Sequence, residues 1–201
     1  MCFRLFWLLE RTVIFFHTVW PWVPAVMLGL GAFLFLPHKW IMSTVLSAPD
    51  VARYILGVTP RDIAVSKLQS LLYFCQAWHL VWEGEPLFED EVMAWSGGAR
   101  IDSIHSNFAG RSMVAVTEPV VVPGMSLAQR ESIDGVLADM MGLRASQLSY
   151  LVCSEKPWKE AYHVDGGVPI STSRIRECYV DLSESSDAVR LDELEWPVWL
   201  S

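Results

Sequence analysis

The chain has 201 residues, of which 52% are hydrophobic, and a formal charge of −8 at pH 7. Residues 1–41 hold three of the 15 basic residues and one of the 23 acidic residues, so residues 42–201 carry a net charge of −10. An acidic domain without basic runs is a poor ligand for phosphate backbones, because that affinity comes mainly from Lys and Arg. The composition indicates one globular domain plus an unusually apolar segment, and it argues against direct nucleic-acid binding.

The apolar segment lies within residues 1–41, where residues 12–36 contain no Asp, Glu, Lys or Arg. This stretch has the length of a bilayer-spanning helix, although two prolines interrupt it. Three interpretations stay open: a transmembrane helix, a cleaved secretory signal, and upstream sequence before a true start at Met42, which we favour. The protein is expected to be cytoplasmic if translation starts at Met42 and membrane-anchored if it starts at Met1.

The remainder divides into a predicted domain at residues 42–182 and an acidic tail at residues 183–201, which is expected to be mobile. The cysteines form no CxxC pair, and an odd number falls within the domain. That pattern predicts reduced thiols in a reducing compartment rather than a disulfide framework. The four cysteines are Cys2, Cys75, Cys153 and Cys178.

The first predicted element after Met42 is a short helix over Ser47–Leu56, capped by Ser47 and ended by Gly57. A turn at residues 59–62 then leads to the longest helical pattern of the domain, from Ser66 to Gly84. Ser66 and Gln69 have the spacing of a capping box, and glycine followed by proline ends the helix. Apolar residues recur at three- and four-residue intervals, which predicts one broad stripe facing a core. The stripe comprises Leu68, Leu71, Leu72, Cys75, Trp78, His79 and Trp82.

The second half of the domain alternates short strands, turns and helices. Strands are predicted at Val92–Trp95 and Met113–Val122, with a turn at Gly97–Gly98 after the first. Helices are predicted at Asp102–Phe108 with Asp102 as cap, at Leu127–Met141 capped by Ser126, and at Arg144–Ser154. A helix entry at Pro157, a turn at Gly166–Gly167 and a helix through Ile175–Val180 capped by Ser171 complete the pattern. Together they predict a mainly α fold with a small β element (α+β), built as a single helical domain around one long central helix.

The common enzyme signatures are absent from the sequence, and Cys75 with His79 is the nearest approach to one. Four residues apart on a helix, these two side chains share a face and could form a thiolate–imidazole pair or supply two metal ligands. The same face is otherwise apolar, so we interpret both as packing residues, with His79 holding a hydrogen bond. No catalytic residue, cofactor site or metal site is predicted.

Trp158, in the segment Glu155–Ala161, has two interpretations. It is either an aromatic residue that fixes a helix entry beginning at Pro157, or the centre of an interaction surface flanked by Lys159 and Glu160.

Five segments of the sequence, taken together, resemble the SocA-like antitoxin family, also called the Panacea domain. The resemblance covers roughly Pro49 to Val180, and the order and spacing of its segments make it specific. They are DVARYIL at 50–56, KLQSLLYFCQAWHL at 67–80, Gly84-x-Pro86-Leu87-Phe88 with the following Ala94-Trp95, EKPWKEA at 155–161, and the closing stretch from Ile170 to Tyr179.

The resemblance implies a helical, non-enzymatic domain of bacteria and phages that neutralises a cognate protein toxin encoded beside it. In the member that names the family, the antitoxin delivers its toxin to a cytosolic protease, so a protease is a further implied partner. An alternative function is a membrane-tethered interaction protein that uses the same domain as a sensor or exclusion factor. The positions that match the family pattern, and that we take as candidate partner-binding residues, are Lys67, Gln69, Tyr73, Trp78, Trp95, Trp158 and Lys159.

The sequence departs from the family pattern in two places. Gly97-Gly98-Ala99 stands where relatives have a tyrosine-glycine-proline turn, so a partner contact made by that turn is expected to differ here. Cys75 stands where relatives tend to have a small residue, which weakens the case for a thiol nucleophile.

Overall fold

The structure is a computed structural model that describes residues 45–115, 120–163, 167–185 and 196–200. The apolar stretch at residues 12–36 lies outside these ranges, as does most of the predicted tail. Among the residues that are described, no helix is both long and apolar enough to cross a bilayer.

The described ranges form seven α-helices and five short strands. The helices are α1 (Ala48–Val58), α2 (Val65–Trp82), α3 (Asp102–Asn107), α4 (Leu127–Met140), α5 (Ala145–Ser154), α6 (Lys156–Ala161) and α7 (Thr172–Glu184). The strands are β1 (Ile63–Ala64), β2 (Met93–Trp95), β3 (Gly98–Arg100), β4 (Met113–Val114) and β5 (Val168–Pro169), and a 3₁₀ turn follows at Val198–Leu200. The predicted fold class, mainly α with a small β element, is confirmed.

Helix α2 lies at the centre, packed against α1, α4, α5 and α7. Every residue from Leu68 to Leu80 is buried, so the buried surface of α2 includes the predicted apolar stripe as far as His79 and extends around the rest of the helix. The helix tolerates this position because its polar side chains are paired inside the protein. Gln69 and Gln76, for example, bond to backbone groups of neighbouring loops.

The predicted start of α2 is also corrected. The helix begins at Val65, the N-cap residue is Ala64, and no side chain caps the first turn. Gln69 instead accepts a 2.8 Å hydrogen bond from the N–H of Ile101 and donates to the carbonyl oxygen of Ile101 at 3.3 Å. This long-range pairing satisfies two buried backbone groups, a larger gain than one exposed cap bond. The predicted end is confirmed, since α2 stops at Trp82 and Gly84 takes φ +79°.

The other helix boundaries follow local capping with three differences. Ser47 caps α1 and Ser126 forms a capping box that opens α4, as predicted. However, α1 continues through Gly57, where an added Cβ would lie 3.1 Å from Cβ of Val120. Close packing therefore explains that glycine, which does not end the helix. Ser171 precedes α7 without a side-chain cap bond.

The third difference is at α3, where the N-cap residue is Ile101 rather than Asp102. Asp102 lies in the first turn and accepts a 2.8 Å hydrogen bond from Nε of Arg100.

Within the described ranges, the five strands form two separate antiparallel sheets. In the larger one β2 lies between β3 and β5, with Met93 opposite both Arg100 and Pro169. The hairpin turn between β2 and β3 ends at Gly98, whose φ of +116° favours glycine. In the smaller sheet, β4 pairs with β1, which the sequence did not predict. The long strand expected at Met113–Val122 is only two residues within the described ranges.

The C-terminal residues Trp196–Leu200 pack back onto α5. The ring of Tyr150 contacts Trp196 at 6.4 Å and Trp199 at 5.8 Å between centroids, and Leu200 is 3% exposed. The intervening acidic stretch lies outside the described ranges, so its predicted mobility stays a prediction.

Candidate partner-binding site

Lys67, the first of the candidate residues, supports the fold through its ammonium group. Its Nζ donates hydrogen bonds of 2.6 Å to the carbonyl oxygen of Met141 and 2.7 Å to that of Leu143. These carbonyls lie at the C-terminal end of α4, where backbone acceptors and the helix dipole favour a cation. Burial lowers the pKa of Lys67. The lysine therefore joins the start of α2 to the end of α4.

Tyr73 is fully buried and belongs to a polar cluster inside the protein. Its hydroxyl donates a 2.6 Å hydrogen bond to Oε2 of Glu155, and the hydroxyl of Tyr179 donates a second one, also 2.6 Å, to Oε1. Burial raises the pKa of Glu155 to about 7, although both tyrosine hydrogen bonds act in the opposite direction. The cluster joins α2 and α7 to the residue between α5 and α6.

Trp78 lies beside this cluster and is 2% exposed. Its ring meets that of Tyr179 edge to face at 5.2 Å and stacks on that of Trp82 at 5.5 Å. Within the ranges that the structure describes, its Nε1 has no hydrogen-bond acceptor. Gln69 is also buried and is hydrogen-bonded to the backbone of Ile101. Three of the seven candidate residues, Gln69, Tyr73 and Trp78, therefore have their side chains inside the core.

Cys75 and His79 also lie in this interior. Cys75 is 0% exposed and burial raises the pKa of its thiol, which disfavours a thiolate nucleophile. Nδ1 of His79 lies 2.9 Å from Oγ of Ser132, and burial lowers the pKa of His79 to about 4. In the described part of the chain, no group of three or more His, Cys, Asp or Glu side chains is arranged to hold a metal ion. The geometry favours packing over a catalytic or metal-binding role for this pair.

Trp95 and Trp158 meet at the β2–β3 hairpin. Nε1 of Trp158 donates a 3.0 Å hydrogen bond to the carbonyl oxygen of Gly98, the residue opposite Trp95 in the strand register. The Trp158 ring stacks on Tyr162 at 4.5 Å. Trp95 is 41% exposed, and the guanidinium of Arg100 lies 4.6 Å from its ring centroid. We call Trp95, Arg100, Trp158, Lys159 and Tyr162 the hairpin surface.

Local packing fixes this hairpin surface. The hydroxyl of Ser149 in α5 donates to the carbonyl oxygen of Gly97, so both glycines of the turn are tied to helices. A Cβ on Gly167 would lie 2.7 Å from Cε3 of Trp95, so the strand beside Trp95 requires a glycine there. The turn at Gly97–Gly98 thus lies within the hairpin that carries this surface.

Three residues of these sites were missed by sequence reasoning. Glu155 was noted only as part of a motif, and Arg100 and Tyr162 were not singled out. The burial of a carboxylate and the approach of a guanidinium to a ring depend on long-range packing, for which neighbouring residues give no signal. The aromatic spacing of Trp158 and Tyr162, four residues apart, was the one available local signal.

One family model matches the chain, over residues 68–159, and its description is Antitoxin SocA-like, Panacea domain. The match confirms the resemblance for the stretch from α2 to the middle of α6. Residues 49–67, which include Lys67, and residues 160–180 lie outside the matched range. The other six candidate residues fall within it. No curated protein and no solved structure matches the chain.

Proposed function

We propose that this chain binds a cognate protein toxin and neutralises it without catalysing a reaction. The observation that carries the proposal is the match of residues 68–159 to the antitoxin-like family model. Binding alone is sufficient for such a function, because a partner held in an inactive complex needs no chemical change.

The hairpin surface is the part of the candidate site that a partner can reach. Tryptophan, tyrosine and arginine are the residue types that most often dominate binding energy at protein interfaces. Trp95 is held in place by Gly167 and Arg100, so little side-chain entropy is lost when a partner covers it. Gln69, Tyr73 and Trp78 have buried side chains, so they contribute to the fold that carries this surface.

Charge supports a basic partner. Residues 42–201 carry a net charge of −10, which steers a positively charged protein toward this one and suppresses binding of acidic proteins. A toxin that acts on nucleic acid or on replication proteins would have the complementary charge.

The experiment is a growth assay with the product of the adjacent gene. Expressed alone, that product is expected to arrest growth, and co-expression of the full chain is expected to restore it. An unrelated acidic protein of similar charge is the control, and its equal success would remove the claim of specificity. No arrest, or arrest without relief by the full chain, would contradict the proposed function.

The same cultures test delivery to a protease. A shorter toxin half-life in the presence of the full chain supports an adaptor, whereas an unchanged half-life supports simple blocking.

A further inference from the structure

A groove of about 360 Å³ lies between the segment that follows α2 and the junction of β5 with α7. Its floor includes Gln76, whose amide is already paired: the oxygen accepts from the N–H groups of Leu87 and Phe88, and the nitrogen donates to the Phe88 carbonyl oxygen. Much of the remaining wall is apolar. The apolar lining residues are Pro86, Phe88, Val92, Pro169, Ile170 and Ile175.

The charged groups that line this groove are all acidic. They are Glu89, Asp90 and Glu91, with no Lys or Arg among the lining residues. The carboxylate of Asp90 is held in place, since it accepts from the N–H of Ala48 at 2.8 Å and from Oγ of Ser103 at 2.5 Å. Glu89 and Glu91 are exposed, and neither forms an ion pair within residues 45–115, 120–163, 167–185 and 196–200.

Strand β2 connects the groove to the hairpin surface along the chain. The N–H of Ile170 donates a 2.7 Å hydrogen bond to the carbonyl oxygen of Val92 at the groove, and the β2–β5 pairing continues from there. Trp95, the last residue of β2, lies three residues beyond Val92, a distance of about 10 Å, with its side chain on the opposite face of the extended chain. A partner that covers Trp95 therefore has the groove within reach of a neighbouring segment.

We propose that this groove binds a Lys- or Arg-bearing segment of the protein partner. The cation lies at Glu89 and Glu91, and the aliphatic part of the side chain packs against Val92 and Pro169. Long basic side chains suit such a site, because their stems cover apolar surface while their charged ends stay at the polar rim. Glu89 and Glu91 form no ion pair within the described ranges, so a cation of the partner can bind them without breaking one of those contacts. This inference rests on the proposed function, in which the chain holds a protein partner.

The test uses a displayed library of random short peptides and the full chain, so it does not depend on finding the toxin. Three forms of the protein are panned: wild type, the groove variant Glu89→Lys with Glu91→Lys, and a control, Asp139→Lys with Glu184→Lys. The control makes the same change in net charge on α4 and α7, at exposed residues outside the groove lining. A milder groove variant, Glu89→Gln with Glu91→Gln, is included in case charge reversal disturbs folding, which circular dichroism reports.

We expect Lys- or Arg-containing peptides to be enriched on the wild type and the control. Synthesised singly, these peptides should bind the groove variant at least about tenfold more weakly by fluorescence polarisation, and the binding should weaken with added salt. Enrichment of peptides without basic residues, equal loss in the control variant, or no enrichment at all would overturn the groove proposal. The growth assay decides the proposed function separately, so each can fail while the other stands.

Discussion

The hydroxyl of Tyr73 in α2 donates a 2.6 Å hydrogen bond to Glu155, 82 residues later in the chain. The same carboxylate accepts from Tyr179 in α7, so one partly buried acid is shared by three parts of the fold. Burial raises the pKa of Glu155 to about 7, against 4.5 for an unperturbed glutamate. A carboxyl group with this pKa makes the stability of the protein depend on pH near neutrality.

Stability should fall as pH rises from about 4.5 to about 7 on account of Glu155. In this window the folded protein retains a carboxyl proton that the unfolded chain has released, so raising the pH favours unfolding. The full contribution is present below about pH 4.5 and is lost as pH passes the folded pKa near 7. Glu155→Gln is neutral at every pH and should not lose this stability. The difference in unfolding free energy between the variant and wild type should therefore change in favour of the variant by about 1 to 3 kcal/mol as pH rises across this range.

The measurement for Glu155 is urea unfolding at a series of pH values, with Glu160→Gln as the matched control. Glu160 is an exposed carboxylate on α6, so its removal should leave the wild-type slope in place. An identical pH slope in wild type and Glu155→Gln would show that Glu155 ionises normally.

His79 should give the opposite slope at lower pH. Burial lowers its pKa to about 4 from 6.5, so between these values the unfolded chain binds the extra proton. The contribution is present above about pH 6.5 and falls by about 3 kcal/mol as pH drops through about 4. His79→Asn keeps a donor near Oγ of Ser132 and removes the titration. The variant is expected to be less stable overall but to lose this part of the acid sensitivity, which the same urea series measures.

The places where sequence reasoning succeeded and failed have a common cause. Ser47, Ser126 and Gly84 act within one turn of backbone, and their roles were predicted. Gln69 had the same local capping spacing, yet Ile101, 32 residues away, offers it two buried backbone groups. A sequence pattern states which local bond is available and does not state which distant partner competes for the side chain.

The same distinction applies to the candidate partner residues. Lys67, Tyr73 and Trp78 were chosen as candidates from the family resemblance, and in the structure their side chains make contacts within the fold. Trp95 and Lys159 were chosen in the same way and are exposed. A sequence pattern indicates candidate positions. The burial of each side chain in the structure then distinguishes residues that stabilise the fold from residues that a partner can contact.

Lys67→Met should destabilise the protein by about 2 kcal/mol. The substitution retains most of the aliphatic stem but removes the two hydrogen bonds to the carbonyl oxygens at the end of α4. Lys159→Met is the control, because Lys159 is exposed on α6 and should change the unfolding free energy by less than about 0.5 kcal/mol. Denaturant titration of both variants gives the comparison. Equal stability of the two would show that the ammonium group of Lys67 contributes no more than an exposed lysine.

Trp95→Ala should separate partner binding from folding. The side chain is 41% exposed and the rest of its surface is packed, so its loss is expected to cost about 2 to 4 kcal/mol of stability, and circular dichroism checks that the variant is folded before binding is measured. As a central aromatic of the hairpin surface, it should weaken binding of the purified toxin by at least about tenfold, measured by calorimetry on the full chain.

Leu127→Ala is the control for Trp95, since Leu127 is a 69% exposed apolar residue on α4 outside the hairpin surface. Trp158→Phe adds a graded test, because it removes the Nε1 hydrogen bond to Gly98 and retains an aromatic ring against Tyr162. It should lower both stability and affinity, since Trp158 supports the hairpin that presents Trp95. Unchanged affinity in Trp95→Ala, matching Leu127→Ala, would place the toxin on a different face of the domain.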